Sequence, residues 1–364
     1  MDKTTILKMI LSRGAQVDQG SLDFLVDNPN IVETVLKLDE KELPTVITLE
    51  FLKPLMPIGE RVLDTNQKFS ISQLSQVLNY RYEFLRKLLE NKEELTNLIS
   101  INKISEKLKE FSVIGMVSEK GYDVILEDST GQANFALDKE KSKFIVEDEV
   151  VGFACEQYNG LFVVKNIIFP DIPLNKESKK AEGLEKCFFI SDIHMDNPNF
   201  NSGCYQNLLN WLNKQENLKI FILGGISKNN EDSSKFLSDI SHSIYFSENN
   251  IKHPITKQVD NMQIMLVRDT FLQDYMKLWN SPIGETVVNL FKKRNLNPTL
   301  TPTNYTNAFL LEEIPDIIVI SGTNKPTLTN YKGTTIITTG SFLTEPIYWL
   351  INLQTRETFK TDFS

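Results

Sequence analysis

The pattern of apolar and polar positions changes character several times along the chain. Ile6, Leu7, Ile10 and Leu11 recur at helical spacing, and Ser21 stands ahead of a second apolar set, Leu22, Leu25 and Val26. Asn30 followed by Glu33 has the form of a cap before Ile31, Val35, Leu36 and Leu38. These features predict a small helical unit over 1–42, short enough to be marginal by itself. Pro44, Pro54, Pro57 and Gly59 then break the periodicity, as expected of a linker with some extended structure. The helical period returns over 72–108, where Leu74, Val77, Leu78, Leu85, Leu88, Leu89, Leu95 and Leu98 form one stripe. Arg81, Arg86 and Lys87 fall off that stripe and are expected on its solvated face. The segment 43–110 is thus read as linker and helix.

From Phe111 the period becomes two. Val113, Gly115 and Val117 alternate with other residues, then Tyr122, Val124 and Leu126 do the same, and Asp128-Ser129-Thr130-Gly131 has the composition of a turn. Phe135, Phe144, Val150, Val151, Phe153 and the run 161–164 continue the short strands to Ile168. Such a series predicts a small β-barrel over 111–172, for which an OB-fold is the best candidate. Barrels of this kind bind single strands through aromatics over a basic groove. Here Glu119, Glu127, Asp128, Glu147, Asp148 and Glu149 favour a structural or protein-docking barrel instead. Phe169-Pro170-Asp171-Ile172-Pro173 ends it, and the Lys/Glu/Ser-rich stretch 173–186 reads as a solvated linker. Beyond it, short apolar runs at 187–190, 219–223, 264–267, 317–320 and 335–337 alternate with helical stretches such as 205–211. That alternation predicts an α/β domain with layered sheets over 187–364.

Composition narrows the function. Of 364 residues 41% are hydrophobic and 24% charged, enough to build real cores. No apolar run approaches the length needed to cross a bilayer, and Asp2 and Lys3 precede a broken apolar pattern unlike a secretory signal. Three cysteines with no close pair exclude a disulfide framework and a four-cysteine zinc site, so a reducing cytoplasmic home is expected. A net charge of −9 supplies no global field for nucleic acid, leaving DNA contact to a local patch or a partner. With only three histidines, His194, His242 and His253, a multi-histidine metal site is nearly excluded. One motif still suggests chemistry: Asp192-Ile193-His194 directly follows the strand 187–190. Period-two alternation places its carboxylate and imidazole on one side of the chain, where they can hold one ion.

From Asn79 onward the sequence resembles the small subunit of the archaeal D-family DNA polymerase. The stretches that carry the resemblance are NYRYEFLRKLL at 79–89, SVIGMVSEKGYDVILEDSTGQ at 112–132, FPDIPL at 169–174 and FFISDIHMD at 188–196. VVNLFKKRNLNPT at 287–299, EEIPDIIVISG at 312–322 and NYKGTTIITTGSF at 330–342 complete the series in the family's order. The resemblance implies an OB domain leading into a calcineurin-like metallophosphoesterase α/β sandwich. In active members that sandwich carries a two-metal site that hydrolyses DNA from its 3′ end. The family builds the site from Asp-x-His, a bridging Asp after the second strand, Asn-His, and later histidines including Gly-His-x-His.

Most of those ligands are missing here. Asp192 and His194 keep the first motif, and Asn249 survives from the Asn-His pair. Gly225 stands where the bridging carboxylate belongs, Asn250 and Val267 replace histidines, and Thr323 and Lys325 replace both histidines of Gly-His-x-His. Lys325 thereby brings a cation toward the metal position, and Asn295 stands where the family usually has histidine. Asp196, Asp232 and Glu248 are available nearby as oxygen ligands, whereas His242 and His253 lie on polar stretches and read as surface residues. Without a bridging carboxylate two dications repel each other uncompensated. The resemblance therefore implies no catalytic residues, no cofactor, and at most one weakly held ion at Asp192 and His194. Pro315, Asp316, Gly333 and Gly340, which shape the sheets and turns, still fit the family pattern.

Scaffold without ligands resembles the B-subunits of eukaryotic replicative polymerases. The implied role is an accessory subunit lacking 3′–5′ exonuclease activity. Its partner would be the large catalytic subunit, with DNA reached through that complex and no membrane involved. Lys292, Lys293 and Arg294 form the most basic cluster and are expected at the surface, solvated or against DNA phosphate. Two other readings stand beside this one. The first is an active manganese- or magnesium-dependent exonuclease with a rebuilt site, which needs another carboxylate in the place left empty at Gly225. The second is a stand-alone OB-fold nucleic-acid binder, whose basic aromatic signature is weak here.

Overall fold

A computed structural model describes residues 3–27, 32, 35–36, 44–48, 52, 71–105, 107–174, 176–240, 244–248, 254–300, 307–323 and 325–364. The chain divides into two compact units, Met1–Leu63 and Asp64–Ser364. The first holds helices α1 (Lys3–Ser12) and α2 (Gln19–Asp27) and a parallel pair of short strands, β1 (Gln16–Val17) and β2 (Val46–Ile47). Asp18, not Ser21, caps α2: its carboxylate accepts the Ser21 N–H at 2.9 Å and the Ser21 hydroxyl at 2.7 Å. Ile47 and Leu52 join Ile6, Ile10, Leu22 and Leu25 in one core. The unit therefore extends past residue 42, since residues 47 and 52 complete a core that also takes in Val32 and Val35. The cap proposed at Asn30 and Glu33 lies outside the described residues.

The second unit begins with α3 (Ile71–Glu90). The predicted helix over 72–108 stops there: Asn97 takes a left-handed φ of 51°, and Leu98 bridges to Ser112 instead of continuing the stripe. Strands β3 (Glu110–Lys120), β4 (Asp123–Asp128), β5 (Gly131–Ala136), β6 (Val150–Tyr158) and β7 (Leu161–Ile168) close into a barrel in the order β3-β4-β5-β7-β6. A one-turn helix, α4 (Lys139–Ser142), precedes β6. Val113, Val117, Val124, Leu126, Phe135 and Phe153 fill the interior. Ile114 and Met116 face the other way, onto Leu85 and Leu89 of α3, so β3 is buried on both sides. The Asp128 turn forms as expected, its Oδ1 accepting the N–H groups of Thr130 at 2.7 Å and Gly131 at 3.0 Å.

The remaining elements are β8 (Lys186–Ile190), α5 (Ser202–Leu212), β9 (Leu218–Leu223), α6 (Asn230–Asp239), β10 (Ile244–Glu248), β11 (Ile255–Val259) and β12 (Met262–Arg268). They continue with α7 (Leu272–Trp279), α8 (Ile283–Lys292), β13 (Ile317–Ser321), β14 (Thr327–Tyr331), β15 (Thr334–Thr338), β16 (Ile347–Asn352) and β17 (Thr358–Asp362). Two five-stranded mixed sheets result, ordered β10-β9-β8-β16-β17 and β11-β12-β13-β15-β14. Cys187, Phe189, Phe221 and Leu223 of the first meet Ile264, Leu266, Ile317 and Val319 of the second. Alternation sends Phe188, Ile190, Ile220 and Ile222 outward beneath α5 and α6. It likewise sends Met265, Val267, Ile318 and Ile320 beneath α7 and α8. The result is a helix–sheet–sheet–helix sandwich whose inner strands, such as β13 and β15, are buried on both faces, β13 reading as an unbroken apolar run over 317–320. All three cysteines are free and buried.

Several segments expected at the surface are tied into this body. Arg81 is fully buried and donates to the carbonyl of Pro298 at 2.5 Å and to Asn307 Oδ1 at 3.2 Å. Arg86 is solvated as expected, paired with Glu90 at 2.9 Å. The stretch after the barrel is no free linker. Lys176 pairs with Asp316 at 3.2 Å, the Ala181 N–H donates to the Leu353 carbonyl at 3.0 Å, and Ala181 sits in the core between the sheets.

Candidate functional site

Strands β8 and β12 belong to different sheets, yet residues at their carboxyl ends meet. Ser191 secures the first end: its Oγ lies 2.7 Å from Thr339 Oγ1, and its carbonyl accepts the Tyr348 hydroxyl at 2.9 Å. The backbone then turns left-handed at Asp192, with φ of 51°, and again at His194, with φ of 50°. Each such non-glycine conformation costs on the order of 1 kcal/mol. Hydrogen bonds to the end of β9 offset it: the Asp192 N–H reaches the Gly224 carbonyl at 3.2 Å and the His194 N–H the Gly225 carbonyl at 2.6 Å. Gly224 and Gly225 are left-handed too, at φ of 79° and 63°, which glycine adopts without a steric penalty.

The structure thus brings Asp192 and His194 together as the motif predicts. The Asp192 side chain is only 4% exposed, and its Oδ1 lies 3.6 Å from His194 Nε2. The same oxygen accepts a hydrogen bond from Arg268 Nη2 at 3.1 Å. Oδ2 is buried with no partner among the described residues. Burial, with the Asp192 charge beside it, holds the Tyr348 phenol well above its ordinary pKa and keeps it a donor. Asp269 follows Arg268, nearly buried, accepting from Gln273 Nε2 at 3.2 Å. Burial raises the Asp269 carboxyl above its ordinary value, opposed by the Gln273 hydrogen bond and the Arg268 charge. Gly322, at φ of 87°, makes room for it, since a Cβ there would stand 2.6 Å from Asp269 Oδ1.

These residues do not fit a two-metal centre. A Cβ at Gly225 would lie 2.8 Å from Asp192 Oδ1 and 3.1 Å from His194 Cε1, so that position faces the site, and glycine places no ligand there. Beside Asp192 Oδ1 stands the Arg268 guanidinium. A dication 4 Å from it meets a repulsion of about 8 kcal/mol at an effective dielectric of 20, before solvent screening. Among the described residues no group of three His, Cys, Asp or Glu side chains is placed to hold an ion.

The other expected residues fall as follows. Val267 points into the apolar core under α7 and α8, and Thr323 is buried, donating to the Thr339 carbonyl at 2.7 Å. Lys325 is exposed, and the cation bonded to Asp192 is Arg268. Asp196 accepts the Lys228 N–H at 3.3 Å and Asp232 the Ser227 hydroxyl at 3.4 Å. His242, Asn249, Asn250 and His253 lie outside the described residues, as does the side chain of Glu248.

The basic cluster needs correction. Lys293 is buried, its ammonium 2.5 Å from Glu149 Oε2 and 2.7 Å from the Phe144 carbonyl. Arg294 is buried as well, its guanidinium donating to the carbonyls of Leu311 at 2.8 Å and Glu312 at 2.9 Å. Both are consumed inside the fold, and only Lys292 remains partly exposed, so no three-residue phosphate patch exists. Arg268 is the residue that motif reading missed. Its signal was the alternation of β12: with Val267 turned to the outer core, its neighbour at the carboxyl end faces the other way.

No family model matches the chain. It is similar to archaeal proteins named DNA polymerase II small subunit. That of Thermoplasma acidophilum is 24% identical over 251 residues, 62% of this chain and 51% of the relative. That of Methanothermobacter thermautotrophicus is 28% identical over 182 residues, 44% of this chain and 37% of the relative. That of Pyrococcus furiosus is 26% identical over 157 residues, 39% and 26% respectively. The matched stretches thus span about half or less of these curated relatives. Among solved structures, a zinc complex of Vps29 from Entamoeba histolytica covers 49% of this chain and 99% of that one at 13% identity and a TM-score of 0.33.

Proposed function

We propose that the chain is an accessory, non-catalytic small subunit of a D-family DNA polymerase. In this reading the barrel is an OB-fold and the sandwich a calcineurin-like phosphoesterase scaffold. Its partner is the large catalytic subunit, and it meets DNA through that complex. One observation carries the proposal: Asp192, the best-placed remaining carboxylate, is bonded to Arg268 while Gly225 offers nothing across from it. A two-metal hydrolase needs a carboxylate shared by both ions to hold their charges together. Similarity to polymerase small subunits supports the choice of assembly. Exposed Tyr122, Tyr158 and Leu161 at the tips of barrel hairpins offer apolar surface for protein contact.

The test is 3′-end hydrolysis of single-stranded DNA with manganese, comparing the chain with an Asp192→Ala, His194→Ala variant, alongside co-elution with the large subunit from the same organism. The expected result is no turnover from either protein and a stoichiometric complex with both. Turnover that disappears in the variant would establish a rebuilt exonuclease site and overturn the proposal.

A further inference from the structure

We infer that Arg268 is a resident cation standing in for the metal: it neutralises Asp192, holds the two strand ends together, and makes this scaffold independent of divalent ions. The inference deepens the non-catalytic reading of the same site. Asp192 is almost wholly removed from solvent, and a carboxylate so placed requires a positive or donating partner. The guanidinium supplies one at 3.1 Å. It spans the sandwich, since Asp192 follows β8 of one sheet and Arg268 ends β12 of the other. A metal ion ligated from both strand ends would make the same tie.

Two glycines fit this arrangement. Any side chain at Gly225 would strike Asp192 Oδ1, the oxygen Arg268 holds, at 2.8 Å. A side chain at Gly322 would strike Asp269 Oδ1 at 2.6 Å, and its Cβ would stand 3.6 Å from Arg268 Nε. The two features point the same way: no carboxylate stands at 225, and a positive charge from within the chain lies beside Asp192. The partnerless Asp192 Oδ2 marks what remains available to an ion once the guanidinium is gone.

The experiment follows melting temperature and manganese uptake, the latter by electron paramagnetic resonance, on the full chain and on Arg268→Ala, Arg268→Lys and Arg268→Ala/Asp192→Asn. The full chain is expected to take up no manganese at the site and to melt at one temperature with manganese or with a chelator. Arg268→Ala is expected to melt about 5 °C lower in chelator and to regain part of that loss in manganese. That recovery and the bound ion both vanish in the double variant. Should Arg268→Ala not fold, Arg268→Lys carries the test: an ammonium there restores metal-free folding, and its failure overturns the idea. So does uptake of manganese through Asp192 by the unmodified chain, or an Arg268→Ala protein as stable as the parent and indifferent to the ion. Metal uptake without DNA hydrolysis would remove the role of Arg268 and leave the accessory-subunit reading standing.

Discussion

Replacing Lys293 with methionine probes the joint between barrel and sandwich most directly. Lys293 immediately follows α8 on the sandwich side, as its C-cap, and Glu149 immediately precedes β6 of the barrel. Their side chains are 1% and 2% exposed, and the ammonium lies 2.5 Å from the carboxylate. At that separation the Coulomb attraction is about 7 kcal/mol for an effective dielectric of 20. Most of that attraction offsets the desolvation of both ions, so the pair adds little net stability over an apolar pair. Methionine fills a similar volume but leaves the Val146 N–H, at 2.8 Å, as the remaining hydrogen-bond donor to Glu149 among the described residues, with the Lys120 charge nearby. It also removes the bond to the Phe144 carbonyl and the ammonium lying 4.4 Å from the centre of the Phe169 ring. The expected cost is about 3–5 kcal/mol, or roughly 8 °C in melting temperature.

The pH dependence carries a second signature. Burial pushes the Glu149 carboxyl up and the Lys293 ammonium down, each opposed by the other's charge. Without Lys293 the carboxyl rises further, so the native variant binds a proton that the unfolded chain releases. Variant stability then falls as pH rises through the raised value, and the deficit is larger near about pH 8 than near about pH 5. Urea denaturation at both pH values measures it. Adding Glu149→Gln, which keeps the acceptor for Val146 and removes the stranded charge, should recover more than half the loss. A Lys293→Met protein within about 1 kcal/mol of the parent at high pH would refute a buried ion pair at this joint.

Three further outcomes are expected. Arg81→Met should cost about 2–4 kcal/mol in denaturant unfolding, since Arg81 is fully buried and the Pro298 carbonyl and Asn307 lose their donor; burial already pulls its pKa down to about 10. At Asp128 burial alone would raise the pKa, but donors from Ile101, Thr130 and Gly131 outweigh it and lower it. Its stabilisation is therefore present above the unfolded value of about 4 and lost as pH falls through the folded one, so Asp128→Asn should flatten the acid side of a melting-temperature profile. Gly333→Ala should cost about 1–3 kcal/mol and speed proteolysis near Lys176, because φ is 81° and the new Cβ would lie 2.9 Å from the Lys176 carbonyl.

Local pattern carried a good part of this structure. The runs at 187–190, 219–223, 264–267, 317–320 and 335–337 became β8, β9, β12, β13 and β15, because a strand covered on both faces has no polar alternation to hide it. The Asp128 turn was legible because its partners are only two and three residues away. Asp192 and His194 were legible because a strand and one turn suffice to bring them together.

What local pattern could not decide depends on partners distant in the chain. Arg81 looked solvated on its helix, yet its carbonyl partner is 217 residues on; Lys293 looked like part of a basic patch, yet its carboxylate lies 144 residues back. The stretch 173–186 has the composition of a linker and is held by Asp316 and Leu353. Above all, the sequence by itself showed few residues able to hold a metal, with glycine at 225 and three histidines in the whole chain. Only the tertiary structure decided what stands beside Asp192, because Arg268 and Asp192 are 76 residues apart, at the carboxyl ends of strands in different sheets. Periodicity reports which face of an element meets apolar surroundings. The pairing of one buried charge with another is set by how whole elements stack, and that is a property of the assembled fold.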